Sequence, residues 1–183
     1  MSLVELIAQA DERGLAASGL ACLDRCVPLL GGDDEILRPL WGNLTADSDA
    51  ADWAGLVEQA RGKLAGATED DEAGLLARRM LDAAPADRSA AGVRLWADAC
   101  SVASLQIHRL LDPAEDASTV DSRREGRTEG MPPLVAAELR RQISVLEVLA
   151  GHGAGGLRRA LDITTEGRRV LRAVVSRRAR GRK

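Results

Sequence analysis

Asp87–Asp112, reading DRSAAGVRLWADACSVASLQIHRLLD, decides the fold. Asp87 offers a short carboxylate that can accept from an unpaired first-turn N–H. Pro113 biases Asp112 out of the helical region. Between these stops lie about 24 residues, a helix of about 36 Å at 1.5 Å per residue. Val93, Trp96, Ala97, Cys100, Ala103, Ile107, Leu110 and Leu111 form one stripe at i, i+3, i+4 spacing. Leu95, Ala99, Val102 and Leu105 form a second apolar row beside it, and Arg94, Asp98, Ser101 and Arg109 leave a narrow wet edge. A helix apolar over most of its circumference is usually enclosed by other helices. The expectation is an all-α, multi-helix bundle of about seven to nine helices around a central buried helix 87–112.

The flanking sequence fits that frame. Ser2-Leu-Val-Glu5 reads as a capping box. Leu20, Leu23, Cys26, Val27 and Leu30 place a helix over about Leu15–Leu30, with a kink or early stop at Pro28. Asp33 or Asp34 caps a short helix around Pro39, and residues 45–52 read as an acidic turn. Trp53 opens the next helix, which ends at Gly66, and Thr68 caps one over Glu69–Ala84. Residues 1–112 are thus one helical bundle. Residues 113–131, starting PAEDASTVDSRREGRTEG, hold too little apolar surface to offset ordering entropy and read as a mobile linker. Residues 132–183 read as C-terminal helices with a basic tail, packing on the same bundle. Val135, Leu139, Ile143, Leu146 and Leu149 face inward there, Leu157–Leu161 makes one helical turn, and Thr164 caps the last helix.

Phe and Tyr are absent and Trp occurs only at 41, 53 and 96, so small aliphatic residues must fill the core. Residues 1–10 lack the basic n-region of a signal peptide, and no apolar run is long enough to span a bilayer. Three cysteines in 183 residues fit a reducing cytoplasm better than a disulfide scaffold. Charge is uneven: residues 158–183 hold 10 of the 25 basic side chains and 2 of the 28 acidic ones, a local net of +8 against −11 for the rest. Such asymmetry points to an interaction tail.

No catalytic constellation assembles. Cys22 and Cys26 share a helix face, but Cys100 and His108 lie eight residues apart on one helix, too far to share an ion, so buried core thiols and no metal are expected. The run Glu69-Asp-Asp-Glu72 sits where the helix dipole favours acids. His108 is expected half-buried at the edge of the stripe, without a catalytic partner. All three tryptophans should pack, with Trp41 partly exposed near Pro39. Gly151-x-Gly153-x-x-Gly156 matches a dinucleotide fingerprint formally, but a helix precedes it, so a connector is expected and no cofactor. The remaining signal is the arginines: Arg158, Arg159, Arg168, Arg169, Arg172, Arg177 and Arg178 are the candidate anion or nucleic-acid contacts, continued by Arg180, Arg182 and Lys183.

Ile163-Thr-Thr-Glu-Gly-Arg-Arg-Val-Leu171 resembles the segment that follows the wing in MarR- or PadR-type winged-helix regulators. The stretch between Gly156 and Thr164 is too short for a wing hairpin, so no binding residue is carried over. The functional expectation is a cytoplasmic helical regulatory or scaffold protein acting through protein–protein contacts, as a homo-oligomer, without a membrane span. The alternatives are a nucleic-acid-associated protein using the basic tail, and an all-α enzyme.

Overall fold

The computed structural model describes residues 1–45, 50–66 and 71–181. Among them it contains α-helices and short 3-10 turns and no strand. The capping box is present: the Ser2 N–H donates to Glu5 Oε2 at 2.6 Å and the Glu5 N–H to Ser2 Oγ at 3.3 Å. It opens α1 (Leu3–Gln9), which buries Leu3 and Ile7. Asp11 caps α2 (Glu12–Arg25) by accepting from the Gly14 N–H at 2.7 Å. Pro28 falls in a 3-10 turn, Val27–Leu30, which ends at Gly31 with φ +73°. Then come α3 (Arg38–Asn43), α4 (Trp53–Lys63) and α5 (Glu72–Asp82). Asp71 caps α5 through the Gly74 N–H. Thr68, Glu69 and Asp70, and residues 46–49 of the expected turn, lie outside the described residues.

The long helix is α6 (Ala90–Leu111). Its cap is Ser89, which accepts from the Gly92 N–H at 3.2 Å, while Asp87 accepts from the Ser89 N–H and shapes the preceding turn. Asp112 is extended, with ψ 130°, as Pro113 demands. The helix enclosed on all sides is nevertheless α2, where 12 of 14 residues are buried. Its run of Ala and Gly brings α6 flush along it. A Cβ on Gly19 would stand 2.7 Å from Cε3 of Trp96, so only glycine fits that crossing. On its other side α6 remains open, with Leu95 76% exposed.

All three indoles are buried, Trp41 included, and each N–H has an acceptor at 2.9 Å: Asp24 Oδ2 for Trp41, the Pro85 carbonyl for Trp53, the Met80 carbonyl for Trp96. Trp41 is drawn inside by that carboxylate, which corrects its expected exposure. Trp53 and Trp96 meet edge to face, ring centres 6.1 Å apart.

After α6 come α7 (Val120–Arg124), α8 (Pro133–His152) and α9 (Leu157–Gly181). The stretch 113–131, expected as a mobile linker, is folded onto the bundle by charge in place of apolar surface. Arg123 bonds Asp116 Oδ1 and Oδ2 at 2.6 and 3.2 Å and the carbonyls of Arg127 and Glu129. Arg124 reaches Asp98 and Ser101 on α6. Asp112 Oδ2 accepts from the Leu134 N–H at 2.7 Å and so links the end of α6 to the start of α8. The glycine motif is a 3-10 turn, Gly153–Gly156, between two helices. Thr164 is not a cap: α9 runs unbroken through it, its hydroxyl donating to the Ala160 carbonyl. The segment resembling winged-helix regulators lies wholly inside α9.

Gly19→Val tests the α2–α6 contact. The added isopropyl group against Trp96 should cost about 1–3 kcal/mol in urea unfolding, whereas Gly55→Val, with open space around its Cα, should leave stability unchanged or slightly raised, because valine has the better helix propensity.

Candidate functional site

The arginines singled out from sequence do not form one open face. Arg168, 4% exposed, donates from Nη1 to Asp24 Oδ1 at 2.6 Å and from Nε to Asp34 Oδ1 at 3.2 Å. Arg172 donates to the same Asp34 oxygen at 2.7 Å, and this bond holds the Asp34 carboxyl below its usual range. Arg178 Nη1 stands 3.6 Å from Asp71 Oδ2. Three of the seven thus serve as clamps between α9 and the acidic body. Arg158, Arg159, Arg169 and Arg177 are exposed, with the acids Asp162 and Glu166 among them, and Arg182 and Lys183 lie outside the described residues.

The densest polar chemistry lies where sequence reading looked for packing alone. Glu138 of α8, fully buried, receives Arg25 of α2 in a bidentate pair: Nε to Oε2 at 2.8 Å and Nη2 to Oε1 at 2.7 Å. Ser104 Oγ and Gln142 Nε2 also donate to Oε1, at 2.7 and 2.9 Å. His108 is 1% exposed, so its expected half-buried position at the stripe's edge is corrected. Its Nδ1 is 2.7 Å from the Ser104 carbonyl, which makes Nδ1 the donor, and its Nε2 is 3.6 Å from Glu138 Oε2. The chain of bonds runs outward through Gln142, Ser101 and Arg124 to Asp98 at the surface.

Burial would push the Glu138 carboxyl up, but Arg25 and His108 hold it at about 2. Burial pushes His108 down, against the pull of Glu138. The thiols are disfavoured as thiolates: burial drives Cys22 up to about 12 and raises Cys26 and Cys100 as well. A histidine beside a carboxylate has the form of an acid–base pair, but a substrate could not reach this one. The cluster instead fastens α2, α6, α7 and α8 together. A signal for it does exist in the sequence: Val135, Glu138, Gln142, Val145 and Leu149 follow i, i+3, i+4 spacing, placing two polar residues on the inward stripe of α8.

The accessible feature is a groove of about 600 Å³ over α6, between α5 and α7. Trp96, Ala99, Val102 and Ala103 make its floor, with Met80 and Val120 on the walls, and Arg79 and Arg109 also line it. It exposes Ala99 and Val102 of the second apolar row of α6, which the sequence reading assigned to enclosing helices, whereas Leu105 of that row is fully buried. The Arg79 side chain is exposed and makes no hydrogen bond or ion pair among the described residues. Among those residues, no group of three or more His, Cys, Asp or Glu side chains is placed to share a metal ion, and no helix is long and apolar enough to cross a membrane. No protein-family model, curated protein or solved structure matches the chain.

The buried pair makes stability pH-dependent in a fixed direction. His108 is harder to protonate folded than at its ordinary 6.5, so the unfolded chain takes that proton first and stability falls as pH drops below 6.5. Glu138, at about 2 against an ordinary 4.5, contributes fully above 4.5 and loses its contribution between 4.5 and 2. Glu138→Gln should cost about 3–5 kcal/mol near neutral pH, by leaving Arg25 unpaired, and should flatten the acid limb of the urea-midpoint profile.

Proposed function

We propose that the chain is a helical regulatory or scaffold protein that acts through protein contacts, with the groove over α6 as its contact face. The observation that carries this reading is the bare apolar row itself. Along the groove Ala99 is exposed and Val102 and Ala103 are half-buried, a tryptophan lies at the floor, and Leu95, one turn before Ala99 on the same row, is 76% exposed. Exposed apolar patches of this kind cost solubility and are characteristic of binding surfaces. The sealed setting of His108 and Glu138 supports a non-catalytic role, and the three buried thiols suit a cytoplasmic setting.

The occupant we assign is an amphipathic helix of a partner protein, with carboxylates flanking its apolar face. From Ala99 to Arg109 the floor runs about 15 Å, enough for about three turns of a helix laid along it. Helix-in-groove recognition reads apolar anchors at i, i+3, i+4 and i+7. Arg79 and Arg109 outnumber Asp121 at the groove and favour acidic flanks by charge complementarity. The groove is concave, which favours a protruding partner over a second copy of the same recessed face.

A displayed library of amphipathic helical peptides, selected on the full chain, tests the reading. Enriched sequences should pair apolar anchors at that spacing with acidic flanks. Their affinity should drop by about tenfold or more for Ala99→Arg, an exposed floor position whose substitution should leave the melting temperature unchanged. If no peptide distinguishes wild type from Ala99→Arg, the groove is not the contact face.

A further inference from the structure

A second cavity, of about 460 Å³ and opposite character, lies between α8 and α9. Arg140 and Arg141 of α8, Arg159 of α9 and the Ser144 hydroxyl line it, with Glu147 and Glu166 beside them. None of the three guanidinium groups makes a hydrogen bond or ion pair among the described residues. For Arg140 and Arg159, both exposed, water suffices. Arg141 is different, because it is half withdrawn from water.

The setting behind Arg141 adds to the imbalance. Gly167 of α9 lies against two arginine stems at once: a Cβ there would stand 2.5 Å from Cδ of Arg25 and 2.8 Å from Cδ of Arg141. The buried Arg25 and the cleft's Arg141 therefore pass the same point of α9. Arg25 commits Nε and Nη2 to Glu138 and leaves Nη1 buried without a hydrogen-bond partner. Burial, with Arg25 and Arg140 nearby, holds the Arg141 guanidinium below its ordinary range, although Glu138 and Glu166 act the other way. A guanidinium that loses hydration without gaining a partner costs free energy, and native structures ordinarily supply one.

We infer that the α8–α9 cleft is a binding site for a small phosphate monoester, whose phosphate is received by Arg141, Arg140, Arg159 and the Ser144 hydroxyl. The planar guanidinium fork matches the oxygens of a phosphate bidentately. Glu147 and Glu166 set the rest of the specificity. They oppose polyanions, including a nucleic-acid backbone, and favour a monoester whose organic part carries an amino group. Val148 and Ile163 give that part an apolar wall. The site is separate from the groove over α6 and does not depend on the protein-contact reading.

Calorimetric titration of the full chain with phosphoethanolamine, and separately with inorganic phosphate, tests the inference at an ionic strength held constant with chloride. Saturable one-to-one binding and a higher melting temperature are expected with phosphoethanolamine. Binding should weaken by about tenfold or more in Arg141→Met. It should also weaken in Arg159→Met, whose exposed side chain can be lost without harm to the fold, so a folding defect at Arg141 cannot be mistaken for loss of the site. Inorganic phosphate bound with the same arginine dependence supports the site and assigns recognition to the phosphate group itself. The inference is overturned if neither probe binds beyond chloride, or if binding is undiminished in both variants.

Discussion

Arg25 and Glu138 meet where neither side chain touches water, and the remaining helices arrange themselves to make that meeting tolerable. A buried carboxylate is stable only when its lone pairs are filled. Oε1 of Glu138 accepts from Arg25, Ser104 and Gln142, and Oε2 from Arg25 again. Those donors sit on α2, α6 and α8, so sliding any of the three by one turn would strand a charge in the core. The pair therefore acts on register as much as on stability, the role for which buried polar groups are best attested. Buried pairs recur at Arg123 with Asp116 and Arg168 with Asp24, and Arg124 carries the pattern out to Asp98 at the surface. In a chain without Phe or Tyr, arginine also supplies bulk: Arg25 and Arg123 are among its largest fully buried side chains. Their methylene stems fill space that aromatic rings occupy elsewhere, while their heads need carboxylates, which come from a distant helix for Arg25 and from the same segment for Arg123.

That dependence explains what could be read from the sequence. Local signals served well. The capping box at Ser2 and Glu5, the stop at Pro113, the early break at Pro28 and the helical period of 90–111 all rest on contacts within a few residues. Long-range pairing left no such trace. Asp24 and Arg168 are 144 residues apart, and nothing local marks either as the other's partner. The basic C-terminal segment therefore read as an interaction tail, although Arg168, Arg172 and Arg178 are turned onto the body. Residues 113–131 read as a linker because apolar content was the measure, and their order comes from Arg123 and Arg124. The second apolar row of α6 was visible, but periodicity cannot say whether a row is covered by the chain's own helices or left open. The cluster around Glu138 was legible in principle, since Glu138 and Gln142 interrupt an otherwise apolar inward stripe.

The two solvent-facing cavities follow from the same frame. α2 takes the enclosed position, so α6 is pressed against it on one side and left bare over part of the other, where α5 and α7 stand apart as walls. On the far side, α9 is drawn down by Arg168 and Arg172, and Gly167 lets it approach Arg25 and Arg141 closely. The first cavity is mainly apolar with two arginines and one aspartate at its edge, and the second is lined by three arginines and two glutamates.

A double-mutant cycle on Arg25→Met and Glu138→Leu tests most directly whether the buried pair governs the fold. Urea unfolding of both single variants and the double variant at neutral pH supplies the coupling energy. Each single change should cost about 3–5 kcal/mol by stranding the other charge, and the double change should recover much of that loss. Costs that simply add, to within about 0.5 kcal/mol, would contradict the account and leave the two charges as independent passengers in the core.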